Sequence, residues 1–136
     1  MRHLVLGSSG QIGAHLVDYL QDKGEQVIEY DIEYKNWQDL REVYNPTLES
    51  YIDTCDIVHF LAFDVGGAKY LEKNQDKHEF IANNMRIMTN TFELLKNYNK
   101  PFIFASSQMA EMSYSSYGML KALGEKITRD LDGLVV

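Results

Sequence analysis

"LVLGSSGQIGAHL" (Leu4–Leu16) joins an apolar run, three glycines and the start of an amphipathic segment. Gly7, Gly10 and Gly13 keep the spacing G-x-x-G-x-x-G between a predicted strand and a predicted helix. In this setting the first glycine permits a tight turn, and the second lets the backbone approach a pyrophosphate. The third lets the helix pack closely on the strand. The stretch favours a dinucleotide site; the alternative is a strand–turn–helix connection whose glycines serve packing only.

Short apolar runs alternate with longer helical patterns along the rest of the chain. The predicted strands are Arg2–Gly7, Gln26–Asp31, Asp56–Phe63, Pro101–Ser106 and Gly133–Val136. The predicted helices are Gln11–Gly24, His78–Asn99 and Ser115–Leu131. This alternation predicts an α/β fold with a doubly wound parallel sheet, in one domain over residues 1–136. A further strand is expected around Trp37–Leu40, inside the polar and aromatic segment Ile32–Tyr51.

Composition excludes several classes of partner. A formal net charge of −7 argues against nucleic acid or an anionic membrane as the main partner, because either requires a basic face. No apolar run approaches the ~20 residues of a membrane span. The single cysteine, Cys55, rules out a disulfide within the chain and is typical of a cytoplasmic protein. The four histidines show no metal-binding spacing, so no metal site is expected.

Asp31 supports the dinucleotide interpretation. It ends the second predicted strand, close to the spacing of about 20 residues beyond Gly13 at which an acid contacts the adenosine ribose. A carboxylate there accepts hydrogen bonds from the ribose hydroxyls and repels a 2′-phosphate, so it favours NAD over NADP. Lys35 lies nearby in the sequence and would weaken that preference. The alternative is a solvated turn aspartate.

Tyr117 and Lys121 form a candidate acid–base pair. They are four residues apart on a predicted helix, so their side chains share one face. An ammonium group beside a phenol stabilises the phenolate and lowers the pKa of the tyrosine. Such a tyrosine exchanges a proton with a substrate hydroxyl or carbonyl near neutral pH. A serine of the preceding strand end, "ASS" (Ala105–Ser107), would hydrogen-bond the same oxygen.

These motifs resemble the extended short-chain dehydrogenase/reductase superfamily, and within it the NAD-dependent nucleotide-sugar epimerases and dehydratases. "GSSGQIG", "WQDLRE", "HFLAF", "NNMRIMTNTFELLK", "FASSQMAE" and "YGMLK" carry the resemblance. It implies a Rossmann fold, NAD as cofactor, and a C-terminal substrate lobe that this sequence does not contain. The implied cofactor contacts are Gly7, Gly10, Gln11, Ile12, Gly13, Asp31, Asp39, Leu40, Leu61, Ala62, Phe63, Asn84, Ser106, Tyr117 and Lys121. The implied catalytic set is Ser107, Tyr117 and Lys121.

"AFDVGGAKYLEKNQDKHEFIANNM" (Ala62–Met85) looks like the corresponding region of GDP-mannose 3,5-epimerase-like enzymes. That resemblance places Gly66, Gly67 and Lys69 beside the sugar. The alternative for the two glycines is a flexible loop. One departure is Met109, which stands where this type of epimerase has a catalytic cysteine two residues after the serine.

A second departure concerns the connection between the candidate serine and tyrosine. Ser107 and Tyr117 are only ten positions apart, whereas the family has a longer loop there. The "V-Y-G" that follows the serine in the family is replaced by "MAE". The third departure is the C-terminal lobe, which holds the sugar nucleotide in the family, so we expect sugar specificity to be barely encoded in this sequence.

The resemblance implies an enzyme that epimerises or dehydrates a nucleotide sugar by transient hydride transfer to NAD. Tyr117 would remove a hydroxyl proton as a phenolate supported by Lys121, and Ser107 would hydrogen-bond the developing carbonyl. A homodimer is also implied, because the family often pairs the helices that correspond to Phe80–Asn97 and Tyr117–Leu131. Two alternatives remain open: a truncated NAD-binding module that serves as a cofactor sensor or scaffold, and a simple short-chain oxidoreductase.

Overall fold

The computed structural model describes residues 1–112 and 114–136. The strands are β1 (Arg2–Leu6), β2 (Gln26–Tyr30), β3 (Ile57–Phe60), β4 (Phe102–Phe104) and β5 (Leu134–Val135). The helices are α1 (Gln11–Asp22), α2 (Pro46–Thr54), α3 (Ala68–Asn74), α4 (His78–Asn97) and α5 (Ser116–Asp130), with a 3₁₀ turn over Gln108–Glu111. Each predicted strand and helix of the alternating pattern, apart from the one near Trp37, is confirmed. Four predicted starts coincide with the observed ones, and the other ends lie one to three residues inside the predicted bounds.

The sheet is parallel throughout and its strands pair in the order β2-β1-β3-β4-β5. From β1 the chain passes to one side for β2 and to the other side for β3, so the direction of winding reverses between β1 and β3. In open parallel sheets, ligands bind outside the carboxyl ends of the strands at such a reversal. The predicted doubly wound α/β fold is confirmed.

The alternation of side chains along β1 divides the core between the two faces of the sheet. Leu4 and Leu6 are fully buried on the face covered by α2, α4 and α5. Val5 points to the other face and packs against Val17 and Leu20 of α1. Each such buried aliphatic side chain contributes roughly 1.5–3 kcal/mol. Helices cover both faces of the sheet, which is why the strand sequences are continuous apolar runs.

No strand forms at Trp37–Leu40, so that prediction is wrong. The backbone there folds into successive turns, in which the amides of Lys35 and Gln38 donate to the carbonyls of Asp31 and Lys35. The buried Gln38 side chain accepts a hydrogen bond from the Asp31 amide at 2.8 Å, which holds the segment against the end of β2. The turns satisfy polar groups that a strand would have paired with β2, and β2 is left at the edge of the sheet.

Helix α2 was not predicted, although its start carries two local signals. Pro46 occupies the first turn, where its missing N–H costs nothing. Asn45 is the N-cap, and its Oδ1 accepts the Leu48 amide at 3.1 Å. The Asn45 amide group also donates to the Tyr30 hydroxyl at 2.7 Å, so this cap ties α2 to the end of β2.

Two buried histidines contact each other on the α1 side of the sheet. His3 Nδ1 and His59 Nε2 are 2.9 Å apart, and their rings stack with centroids at 5.2 Å. Burial lowers the pKa of His59 to about 4, so it is neutral at physiological pH. In residues 1–112 and 114–136, no three His, Cys, Asp or Glu side chains converge as metal ligands. Over the same residues, the helices lack the combination of length and apolarity needed to cross a bilayer.

Candidate active site

A cleft of about 710 Å³ opens at the carboxyl ends of β1, β2, β3 and β4. Its position matches the reversal of winding between β1 and β3. Most of the predicted site residues line it: Gly7, Gly10, Gln11, Ile12, Gly13, Asp31, Asp39, Leu40, Leu61, Ala62, Phe63, Gly66, Gly67, Ser106, Tyr117 and Lys121. Asn84, Ser107 and Lys69 lie outside its lining.

Two of the glycines are required by the packing of the loop. Gly7 has φ +90°, and a Cβ there would lie 2.8 Å from the amide nitrogen of Ala62. A Cβ on Gly13 would lie 2.0 Å from the carbonyl oxygen of Gly7, so only glycine lets α1 start this close to β1. Gly10 is different, because a Cβ there meets the protein no closer than 3.4 Å. Packing of the chain therefore does not require glycine at position 10, whereas close approach of a ligand would.

The start of α1 is prepared for an anion. No side chain caps it, and no acidic residue lies in its first turn. The first amides of a helix have no acceptor within the helix, and those of Gln11, Ile12 and Gly13 belong to residues that line the cleft. Among the described residues, the buried Ser8 hydroxyl next to this turn also has no hydrogen-bond partner. These features fit a pyrophosphate at the helix N-terminus.

Asp31 stands at the end of β2 with its carboxylate already oriented by the backbone. Its two oxygens accept the amides of Ser9 and Glu33, each at 2.9 Å. The bond to Ser9 joins the end of β2 to the glycine loop that follows β1. A carboxylate oxygen can accept more than one hydrogen bond, so Asp31 keeps capacity for a ligand in the cleft.

Asp39 and Leu40 line the same end of the cleft, but Asp39 is paired. Arg41 donates to its carboxylate through Nε at 2.9 Å and through a terminal guanidinium nitrogen at 2.8 Å. Hydrogen bonding to the Arg41 side chain holds the pKa of Asp39 below its ordinary value. Arg41 also lines the cleft and was not predicted. The (i, i+2) acid–arginine pair in "DLR" is the local signal that could have indicated it.

Asn84 lies behind the cleft wall instead of in it. The side chain is fully buried, and its Oδ1 accepts the amide of Asp64 at 2.7 Å. Its Nδ2 donates to the carbonyl oxygens of Asp64 and Phe80, both at 3.0 Å. Asn84 therefore fixes the backbone after β3, which forms part of the cleft wall. A direct contact between Asn84 and a cofactor stays a prediction.

Gly66 and Gly67 line the cleft, whereas Lys69 does not. Lys69 lies in the first turn of α3 with an exposed side chain. Asp64, just before the glycines, is an additional carboxylate in the lining that the sequence did not single out. The Asn83 amide group donates to it at 3.1 Å. The role of the three predicted sugar contacts stays a prediction.

Ser106 and Ser107 follow β4 and point to different partners. Ser106 lines the cleft, and its hydroxyl donates to Glu125 Oε1 at 2.6 Å. Ser107 begins the 3₁₀ turn, where its Oγ accepts the Met109 amide at 3.1 Å. It borders a smaller hollow that it shares with Glu125. Glu125 lies one turn beyond Lys121 on α5, a spacing that could have marked it as a further member of the face that carries Tyr117.

Lys121 is 4% exposed and reaches the end of β4. Its Nζ donates to the Ala105 carbonyl at 2.8 Å and lies 4.1 Å from the centroid of the Phe63 ring. The distance from Nζ to the centroid of the Tyr117 ring is 5.9 Å. Burial lowers the pKa of the Lys121 ammonium to about 8.

Tyr117 is half-buried in the first turn of α5, and its ring contacts Phe63 edge to face at 5.7 Å. Burial raises the pKa of its phenol, and hydrogen bonding with Ser107 opposes that rise. The expectation that Lys121 lowers the pKa of Tyr117 is wrong for the protein alone. Desolvation is the main influence on the phenol, and the Lys121 ammonium is directed to the Ala105 carbonyl.

The buried ammonium predicts an unusual pH dependence of stability. As pH rises from about 8 toward 10.5, folded Lys121 loses its proton before the unfolded chain does, so the free energy of unfolding rises with pH. Relative to Lys121→Met, which keeps the length without the charge, the gain is on the order of 3 kcal/mol across that window. Urea denaturation of both proteins at several pH values measures it. Parallel pH profiles would contradict the burial of a charged Lys121.

Solved structures share this fold. A short-chain dehydrogenase/reductase superfamily protein of Agrobacterium tumefaciens, solved with bound NAD, matches with a TM-score of 0.78 and 20% identity, over 99% of this chain and 48% of that chain. UDP-glucose 4-epimerase of Thermotoga maritima, solved with UDP-glucose, matches with a TM-score of 0.74 and 22% identity, over 99% and 54% of the two chains. UDP-glucose 4-epimerase of Bifidobacterium longum, in complex with NAD⁺ and UDP, matches with a TM-score of 0.71 and 21% identity, over 96% and 49%.

The chain spans about half the length of these structures, and at such identities the likeness shows the fold alone. No curated protein shows significant similarity to it. A family model, however, matches residues 3–132, and its description is the NAD dependent epimerase/dehydratase family. Because that match covers nearly the whole sequence, the chain belongs to the NAD dependent epimerase/dehydratase family.

Proposed function

We propose that residues 1–136 form the NAD-binding domain of a nucleotide-sugar epimerase or dehydratase. One observation carries the proposal: a single cleft is lined both by an uncapped helix start and by the half-buried Tyr117 and buried Lys121. The first element suits a pyrophosphate and the second suits proton transfer. Neighbours of the same fold include UDP-glucose 4-epimerases, which supports a nucleotide sugar as the substrate class. The GDP-mannose-like resemblance of Ala62–Met85 stays a prediction.

The residues of this chain divide the binding of NAD between them. The amides that start α1 would hold the pyrophosphate, beside Gly10. Asp31 would accept hydrogen bonds from the adenosine ribose hydroxyls. Glu33 also lines the cleft and would add a second negative charge that repels a 2′-phosphate. Leu40 would contact the adenine. When bound, NAD supplies a reversible hydride acceptor for the sugar carbon.

The protein supplies the proton transfer. Tyr117 would accept the proton of a sugar hydroxyl through its phenol oxygen. Ser107, whose side chain opposes the rise of the Tyr117 pKa, would hydrogen-bond the same substrate oxygen. Lys121 can favour the phenolate only once its ammonium faces Tyr117, because in the protein alone it is bound to the Ala105 carbonyl. A positively charged nicotinamide ring nearby would act on the tyrosine in the same direction.

The binding-module alternative is favoured by one observation. The pKa of Tyr117 is raised by burial, which is opposite to what a ready base requires. In this alternative the cleft binds NAD and the protein serves as a cofactor sensor or scaffold. A simple short-chain oxidoreductase would use the same three residues and release reduced cofactor.

Incubation with NAD⁺ and a panel of UDP-, dTDP- and GDP-hexoses distinguishes these functions. We expect a converted sugar nucleotide, detected by NMR, without net formation of NADH. Net NADH would indicate a simple oxidoreductase, and NAD binding without any conversion would indicate the binding module. The Asp31→Ala protein is the control, since weakened NAD binding should lower conversion in parallel. Unchanged NAD binding in that variant would contradict the assignment of the cleft.

We further propose a homodimer and keep the cytoplasmic location as a prediction. Met85 of α4 with Met119 and Leu123 of α5 are about half exposed, and their helices lie side by side. A second copy that pairs this face would cover them. Analytical ultracentrifugation of the protein and of a Leu123→Glu variant tests this, since the variant should be monomeric.

A further inference from the structure

The start of α5 is bonded to a distant part of the chain. Ser115 is its N-cap, and the Ser115 Oγ accepts the Gly118 amide at 3.1 Å. The Ser115 hydroxyl then donates to Gln75 Oε1 at 2.7 Å. The same Gln75 oxygen accepts the backbone amide of Tyr117 at 3.2 Å. The candidate acid–base residue is therefore held through its own backbone by a side chain some 40 residues earlier.

The chemistry of these partners defines which atom of Gln75 faces α5. The Tyr117 amide can only donate, and the Ser115 hydroxyl donates because its oxygen already accepts from Gly118. Both lone pairs of the Gln75 carbonyl oxygen are then used. A glutamate would offer the same two acceptors, whereas a leucine would offer none.

The segment that carries Gln75 is itself firmly placed. The Gln75 amide donates to the Leu71 carbonyl at 3.0 Å and ends α3. The next residue, Asp76, adds a second bond to α5 through the Ser116 hydroxyl. Since α3 begins directly after Gly67, this corner connects the glycine end of the cleft with the start of the tyrosine helix.

Gln75 does not line the cleft, which contains most of the predicted cofactor contacts. The start of α5 also packs against the 3₁₀ turn, where Gly118 lies against the carbonyl of Met109. We propose that Gln75 is a positioning residue for Tyr117, which holds the first turn of α5 between the corner and the 3₁₀ turn so that the phenol stays beside Ser107. This inference rests on the proposed function only in that Tyr117 is the acid–base group.

Three variants test the inference: Gln75→Leu removes both acceptors, Gln75→Glu keeps them, and Gln21→Leu makes the same change at an exposed glutamine of α1. Amide hydrogen exchange of Tyr117, measured by NMR relative to the core amide of Leu95, reports local order without turnover. In Gln75→Leu we expect exchange about tenfold faster, because one hydrogen bond is lost. The other two proteins should exchange as the wild type does.

The pKa of the Tyr117 phenol is a second readout, which would not change if Gln75 had only a general structural role. With tyrosines labelled at Cζ, and the Tyr117 signal assigned by its loss in Tyr117→Phe, the pKa of Tyr117 is measured in each variant. In Gln75→Leu the pKa should fall toward the ordinary tyrosine value, since the ring becomes less buried. In Gln75→Glu it should not fall, because the bonds persist and a nearby carboxylate favours the neutral phenol.

An unchanged exchange ratio and an unchanged Tyr117 pKa in Gln75→Leu would overturn the inference, and so would a Gln75→Glu protein that behaves like Gln75→Leu. Should Gln75→Leu fail to fold, Gln75→Asn, which is one methylene too short to reach both donors, is measured in the same way. None of these readouts requires catalysis. Absence of sugar-nucleotide conversion would therefore count against the proposed function and leave the positioning role to be decided by the Tyr117 measurements.

Discussion

Tyr117→Phe is expected to lower turnover of the sugar nucleotide by about 10²–10⁴-fold, the usual contribution of a positioned acid–base group. The substitution removes only the hydroxyl that transfers the proton. The ring should keep its edge-to-face contact with Phe63, whose centroid is 5.7 Å away. Because the glycine loop and Asp31 are untouched, NAD should still bind.

Tyr114 offers a matched control for this experiment. It is 84% exposed, and glycine, not lysine, follows four residues later, so Tyr114→Phe should leave turnover at the wild-type level. Single-turnover rates and calorimetric titration with NAD⁺ separate chemistry from binding. A Tyr117→Phe protein with wild-type turnover would remove Tyr117 from the mechanism, and loss of activity in Tyr114→Phe would transfer the role to that tyrosine.

Gly118→Ala is expected to destabilise the fold on the order of 3 kcal/mol, in the range of overpacked cores. A Cβ at position 118 would lie 2.1 Å from the carbonyl oxygen of Met109 and 2.7 Å from that of Met112. Both are backbone atoms, so the 3₁₀ turn itself must move. This change in stability is opposite in sign to that at an ordinary exposed helix position, where replacing glycine by alanine stabilises the protein by about 1 kcal/mol.

Gly67→Ala is the control for stability, since nothing lies within 4 Å of its Cβ position and its φ is −69°. Urea unfolding of the three proteins compares the free energies directly. If Gly118→Ala is as stable as the wild type, the 3₁₀ turn does not pack on α5 as closely as described. Gly118→Ala should also slow any turnover, because the 3₁₀ turn that it displaces begins at Ser107.

The short connection between Ser107 and Tyr117 acquires a physical explanation from these contacts. With only ten positions available, the described part of the connection makes one 3₁₀ turn, Gln108–Glu111, and α5 begins at Ser116. The turn can lie this close because Gly118 has no side chain. The sequence showed that the connection is short, but not that a glycine at position 118 is the reason it fits.

Local patterns in the sequence were sufficient to predict most strands and helices and the glycine turn of the cleft. Apolar runs predicted the strands, and spacings of three and four predicted α1, α4 and α5, because burial against a two-sided sheet imposes those periods. The glycine spacing predicted a tight turn into a helix, and Gly7 and Gly13 are sterically required there. The strand predicted at Trp37–Leu40 was wrong because turn hydrogen bonds, which periodicity does not report, satisfied that backbone.

Contacts between distant residues were decided only by the tertiary structure. The sequence alone determined that a glycine turn, an acid after β2 and a Tyr–Lys pair would occur, because each depends on neighbours within a few positions. It could not determine that Asn84 bonds Asp64, that Lys121 is directed to Ala105, or that Gln75 holds Tyr117. Those partners depend on which backbone atoms the folded sheet brings within about 3 Å, the range of a hydrogen bond. The strand order, which no local pattern encodes, sets that proximity.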